Sequence, residues 1–262
     1  MAKINPGAII LLIFMMVVLC GTADAGGPFG PPQPLTKDSG GIRTAVGYWY
    51  HEDKFSNDTD HVIKQNQVYS EVAYGAGKTW EVYGRIGVSS IEIDDALSST
   101  RPSTTSSKSD FEDNWKFFGT LGAKGFYPFN EIFGIGAFVQ GTYFFRDADD
   151  NVSGTTGGAP YTMELRMTDL WDVNFGIGFQ ATLWRDTKLY AGPYVYYAEV
   201  QVSPAPVISG IQLANGDTTL RNKTNVGGFM GIDVPIAKGF RLNVEGQYSE
   251  RFSAGAAISL VY

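Results

Sequence analysis

The sequence predicts an all-β fold, a transmembrane antiparallel up-and-down β-barrel of ten strands, with eight as the alternative count. Three observations carry this expectation. Segments of period-two hydrophobicity recur along residues 41–262, and they run to about 10–15 residues where soluble strands usually stop at about 5–6. The connections between them alternate between short and long. Aromatic residues gather near the segment ends, at Tyr48, Tyr50, Trp80, Trp115, Tyr127, Tyr143, Trp171, Trp184, Phe240, Tyr248 and Tyr262. A tilted strand crosses a bilayer in about 9–11 residues, and rings at both interfaces form the girdles of such a barrel.

In chain order, residues 1–25 read as a cleaved signal peptide. Lys3 precedes an uninterrupted apolar run over residues 8–19, and Ala23 and Ala25 supply small residues for cleavage near Ala25. The layout is that of an export signal, and the run is too short to span a membrane as a helix. Cys20 follows Leu19, whereas a lipid-attachment cysteine wants a small residue before it. Cleavage after Ala25 leaves no cysteine, hence no thiol or disulfide chemistry in the mature chain. Residues 26–40, with the stretch "GGPFGPPQPLTKDS", read as an irregular Pro/Gly-rich periplasmic leader.

The candidate strands lie near residues 41–51, 66–76, 80–93, 115–126, 132–146, 169–183, 188–202, 222–234, 240–250 and 252–262. In "LWDVNFGIGFQATL", Trp171, Val173, Phe175, Ile177, Phe179, Ala181 and Leu183 share one parity, against Asp172, Asn174, Gln180 and Thr182. Successive side chains of a strand point to opposite faces, so each such segment has an apolar and a polar side. "LYAGPYVYYAEVQV" is ambiguous, because its aromatics fall on both parities. Short connections such as "WRDTK" and "PIAKG" alternate with long polar ones such as "DADDNVSGTTGGAPYTMELRMT". Short turns at one end and long loops at the other is the layout of an outer-membrane barrel.

The last strand, "FSAGAAISLVY", sets Phe252, Ala254, Ala256, Ile258, Leu260 and Tyr262 on one face and runs to the final residue. With the signal peptide and the ten-strand meander, it resembles the small outer-membrane β-barrel proteins of Gram-negative bacteria, in the OmpA-transmembrane-domain and OmpX-like superfamily. The resemblance implies that Ile258, Leu260 and Tyr262 form the C-terminal signal read by the barrel-insertion machinery. It also implies outer-membrane lipid and lipopolysaccharide as surroundings. It names no ligand for the extracellular loops.

The parities assign a lumen charge network of Arg43, Glu71, Glu81, Arg85, Lys116, Lys124, Arg146, Asp172, Asp233, Arg241 and Glu245. Charges of both signs in a narrow interior favour mutual pairing, since an unpaired buried charge costs several kcal/mol. A one-sign lining, which would favour ion selectivity, is missing. The overall excess of acidic residues, 27 against 20 basic ones, argues against nucleic-acid partners. No cofactor motif occurs. Asp147, Asp149 and Asp150 offer oxygen ligands of the kind divalent cations prefer, without an EF-hand's spacing. His51, followed by Glu52 and Asp53, is the one general-base candidate. The expectation is therefore a non-enzymatic envelope protein, structural or surface-interacting, with acidic outer loops. A narrow porin-like channel is the alternative, and a barrel hydrolase built on His51 the third.

Overall fold

A computed structural model describes residues 28–36, 41–56, 60–76, 79–94, 96, 108–212, 216–223 and 225–262. The signal-peptide segment lies outside them. Among the described residues, thirteen strands appear in chain order. They are β1 (Gly41–Ser56), β2 (Asp60–Ala76), β3 (Trp80–Ile93), β4 (Phe111–Pro128), β5 (Phe133–Phe144), β6 (Ala148–Thr156) and β7 (Ala159–Thr182). After a 3-10 turn at Trp184–Asp186 come β8 (Lys188–Ile208), β9 (Ile211–Gln212), β10 (Thr218–Asn222), β11 (Val226–Ala237), β12 (Phe240–Tyr248) and β13 (Phe252–Val261).

Ten of these close a ring. β1 to β5 pair in sequence, β5 pairs β7, β7 pairs β8, β8 pairs β11, and β11, β12 and β13 follow in order. The ring closes where β13 pairs β1 antiparallel, from Arg43 opposite Val261 to Tyr50 opposite Ala254. Tyr262 N–H donates to the Ile42 carbonyl at 3.2 Å, so pairing continues to the last residue. Closure leaves the ring without an exposed edge, which a flat sheet of these strands would have.

The remaining strands belong to the long-loop end. Several connections expected to be polar loops are strand extensions instead. β1 and β2 pair out to Ser56 opposite Asp60, which puts His51 in β1 and His61 in β2 rather than in a loop. β6 and the first half of β7 form a hairpin from Ala148 opposite Met167 to Thr156 opposite Ala159. Its signal is the alternation Tyr161, Met163, Leu165, Met167, all buried. That parity is opposite to the inward parity of the rest of β7. The switch is made by a bulge between Thr168 and Trp171, where Asp169 takes a φ of 52°. An extra residue in one strand re-aims every side chain beyond it.

Candidate functional site: the filled lumen

The inward face of the ring is the candidate site, and it is occupied by the chain itself. Residues 28–36 are irregular, as their composition suggests, but they lie inside the ring rather than trailing from it. Phe29 is fully buried. Its ring stacks on Phe138 (β5) with centroids 3.9 Å apart, and meets Tyr194 (β8) and Phe229 (β11) edge-on at 5.2 Å each. The Phe29 and Gly30 N–H groups both donate to the Glu245 carboxylate (β12), each at 2.8 Å. Lys124 Nζ (β4) donates to the carbonyls of Phe29 and Pro31 at 3.4 and 3.2 Å. Gln33 and Gln180 (β7) exchange two hydrogen bonds of 3.1 Å, and Lys188 Nζ (β8) donates to Gln33 Oε1 at 2.8 Å. Leu35 N–H reaches Glu81 (β3) at 3.3 Å.

Two glycines make room for this segment. A Cβ on Gly178 would sit 2.5 Å from Pro32 Cγ, and one on Gly136 would sit 2.8 Å from Pro32 Cβ. Both positions face inward on β7 and β5, where any side chain would occupy the space of the proline ring.

Beyond Phe29 lies the charged layer. Arg43 bridges Glu71 at 2.7 Å and Glu81 at 2.8 Å, Arg85 holds Glu71 at 2.5 Å, and Lys124 completes the set at 3.4 Å from Glu81. Arg241 pairs with Asp233 and with Asp186 of the 3-10 turn. Glu245 has no ion partner among the described residues and is satisfied by neutral donors, adding Tyr190 Oη and Gln247 Nε2 to the two backbone groups. Asp172 accepts from Asn174 at 2.6 Å. Buried charges persist where such pairing and hydrogen bonding compensate lost hydration. A cavity of about 30 Å³ lies beside Arg43, Glu71, Arg85 and Asp233, room for a water or two.

Two residues assigned to the lumen by parity do not join this layer. β5 ends at Phe144, so the alternation does not carry on to Arg146, which is exposed at the strand's end. Lys116 keeps the inward parity opposite buried Ser89, just before the register shift between β3 and β4, but it sits at the long-loop end, 3.2 Å from Asp113 and 3.8 Å from Asp149. The three divalent-cation candidates diverge. Asp147 faces Arg166 at 3.5 Å and Asp150 takes Lys108 at 2.6 Å, so each carboxylate has its own cation. Among the described residues no group of three or more His, Cys, Asp or Glu side chains is placed to hold a metal.

The long-loop end is roofed by apolar side chains. Trp49, Phe118 and Phe144 point inward above the charges, followed by Phe55, Ile63, Ile91, Phe111, Met163, Leu165 and Val200 in one buried cluster. The sequence did not reveal this roof, because Phe55, Ile63, Phe111, Met163 and Leu165 sit in connections that read as loops, although Trp49, Ile91, Phe118, Phe144 and Val200 lie in expected strands. Under it a cavity of about 20 Å³ is lined by His51, Asp53, Gln65, Gln67, Asp172 and Tyr196. His51 Nδ1 lies 3.2 Å from Ser253 Oγ, and Tyr196 Oη donates to Asp53 at 3.0 Å. Outside the roof, surface pairs tie the extensions together, Lys223 to Asp60 at 2.6 Å and Arg221 to Glu199 at 2.9 Å. The Lys223 ammonium holds the Asp60 carboxyl below the ordinary range, and the Tyr197 hydroxyl with Arg221 does the same to Glu199.

The outward face is apolar between rims of aromatic residues. Leu121 is 77% exposed, Ile86 61% and Val46 59%, while inward-facing Ser253 and Asp233 are fully buried. On β8 the ambiguity resolves with Tyr190, Tyr194 and Tyr196 inward and Val195 and Tyr197 outward. Ile258 and Tyr262 face outward and exposed, with Leu260 between them half-buried.

Together these features define a closed antiparallel sheet, apolar outside, polar within, and filled by its own N-terminal segment. Among solved structures the chain is similar to the translocator domain of autotransporter NalP from Neisseria meningitidis, at 10% identity and a TM-score of 0.43, covering 85% of this chain and 88% of that one. It is also similar to the outer membrane protease OmpT from Escherichia coli, at 10% identity and a TM-score of 0.43, over 85% and 97% of the two chains. A third is Ail, the attachment invasion locus protein of Yersinia pestis, at 10% identity and a TM-score of 0.32, over 86% and 98%. No family model and no curated protein matches the sequence.

Proposed function

We propose that the chain is a ten-stranded β-barrel of the bacterial outer membrane, closed in the state described, with a structural or surface-interaction role and no catalytic one. The observation that carries this is the inversion of the wall. Val46, Val72, Ile86, Leu121, Val139, Phe175, Val195 and Ile258 are exposed, while arginines, glutamates and glutamines of the same strands are buried. Contiguous apolar surface of that extent exceeds what a soluble monomer exposes. In hydrocarbon every backbone polar group must find an internal partner, which a closed sheet supplies.

On this reading the short turns and residues 28–36 face the periplasm and the long extensions face outward. Residues 1–25 direct export, with cleavage near Ala25. Ile258, Leu260 and Tyr262 are the segment recognised by the barrel-insertion machinery, and membrane lipid and lipopolysaccharide surround the wall. The OmpA- and OmpX-like resemblance rests on the same features.

The filled lumen, its paired charges and the apolar roof support a closed barrel over a channel. His51 is buried under the roof beside Ser253, which supports a packing role over hydrolysis. The test is planar-bilayer recording of the purified protein. No steady conductance is expected, and openings that vanish when Arg43 or Glu81 is neutralised would make it a channel. Folded protein should migrate heat-modifiably with the outer-membrane fraction. A detergent-free soluble monomer would overturn the placement.

A further inference from the structure

We infer that the half of the lumen nearest the short turns is a blind-ended peptide-binding chamber, specific for a proline-rich, phenylalanine-bearing segment and filled here by the chain's own residues 28–36. The inference deepens the closed-barrel reading and rests on it. Four features of the contact carry it.

Residues 28–36 form no strand pairing with the wall and contain no charged side chain. They are held as a ligand is held, through the Phe29 ring, four backbone N–H groups, two backbone carbonyls and the Gln33 amide. Each wall group that holds them also has a partner within the wall. Glu245 keeps Tyr190 and Gln247, Lys124 keeps Glu81, Gln180 keeps Thr182, and Lys188 keeps Asp186. The chamber is therefore organised whether or not it is filled, which lowers the entropy lost on binding.

The segment is prepared in the same sense. Pro28, Pro31, Pro32 and Pro34 fix φ at four of its nine positions before it enters, and Gly30 supplies the one left-handed turn, with a φ of 70°. Aromatic-lined grooves elsewhere exploit that stiffness to read proline-rich peptides. Finally, the roof from Trp49 to Phe144 closes the far end. Vacating the segment leaves a pocket rather than a through-pore, and the occupant must enter from the short-turn side.

The experiment uses a chain lacking residues 28–36, folded in detergent and checked by heat-modifiable migration, titrated with the synthetic peptide PFGPPQPLT. One-to-one binding is expected, weakened about a hundredfold when Phe29 of the peptide is replaced by Ala, since a buried aromatic contributes two factors of ten or so. The intact chain should not bind the peptide. If the folded deletion variant ignores the peptide, or binds the Phe29→Ala form equally well, the inference is wrong. Should the deletion prevent folding, a protease site between residues 36 and 41, cut after folding, replaces it. The released segment should then exchange with labelled peptide, and a segment that never exchanges counts against the inference. Bilayer recording of the same variant separates the two readings. Conductance with peptide block overturns the closed roof and keeps the binding site, whereas silence without binding removes the site alone.

Discussion

The Phe29 ring lies 3.9 Å, centroid to centroid, from Phe138, at an interplanar angle of 29°. The contact fixes the position of the whole internal segment, because Phe29 is the one large side chain that residues 28–36 bury among inward aromatics. Phe→Ala in a packed site costs about 3–5 kcal/mol, enough to release a segment otherwise held by a few hydrogen bonds. Phe29→Ala in the full chain should make residues 28–36 cleavable by a broad-specificity protease, while Phe29→Leu protects them partially. Equal resistance of parent and alanine variant would show that the ring is not the anchor.

Gly178 tests the same placement from the wall. Its missing Cβ would lie 2.5 Å from Pro32 Cγ, whereas a Cβ on Gly141 would meet nothing nearer than 3.6 Å. Gly178→Ala should therefore destabilise the filled lumen by about 1–3 kcal/mol through overpacking. Gly141→Ala should be nearly neutral. Urea unfolding in micelles reads both, and matching midpoints would count against Pro32 occupying that space.

The charged layer makes a prediction by contrast. Asp233 is fully buried and Arg241 is its ion partner. Removing one member of a buried pair strands the other, at a cost of about 3–5 kcal/mol. Arg241→Met should lower the unfolding midpoint accordingly. Arg146→Met, at an exposed strand end, should stay within about 0.5 kcal/mol of the parent. Similar losses from both would put Arg146 back inside the lumen.

Acid should loosen the long-loop end. Asp60 and Glu199 are held below the usual carboxylate range by Lys223, and by Tyr197 with Arg221, respectively. A depressed folded-state pKa contributes stability that is complete above the unfolded value and disappears as pH falls through the folded one. The loss therefore falls below about pH 4. Amide chemical shifts of β10, which these pairs tie to β2 and β8, should move between pH 5 and pH 2.5 and stay constant from pH 5 to pH 7. Shifts unchanged at low pH would remove the role of these pairs.

Some of this was legible from residues alone. The alternation in "WKFFGTLGAKGFY" and "LWDVNFGIGFQATL" assigns the faces of β4 and β7 as the structure has them, with Leu121 and Phe175 outward and Lys124 and Asn174 inward. The pairing of the last strand with the first follows from the same period and from the need to leave no open edge. One lumen assignment failed at a strand end, where the end of β5 leaves Arg146 outside, while Lys116 keeps the inward parity opposite Ser89 but lies apart from the charged layer, at the long-loop end. Parity holds only while pairing is unbroken. The alternation Tyr161, Met163, Leu165, Met167 was also present, but its parity opposes that of the strand it continues. Read alone, it resembled a loop.

By itself, then, the sequence determined an all-β chain of long two-faced strands, apolar on one side and charged on the other, because strand periodicity is a local property of covalent geometry. What fills the ring was decided only by tertiary structure. A proline-rich stretch such as residues 28–36 carries no period, so nothing local distinguishes a loose leader from a bound one. The aromatics on both parities of β8 were undecidable for the same reason. Tyr190 and Tyr194 face inward because Glu245 and Phe29 wait there, brought from residues far away in the chain. Enclosed volume exists only once the ring has closed, and only then does it select which residues occupy it.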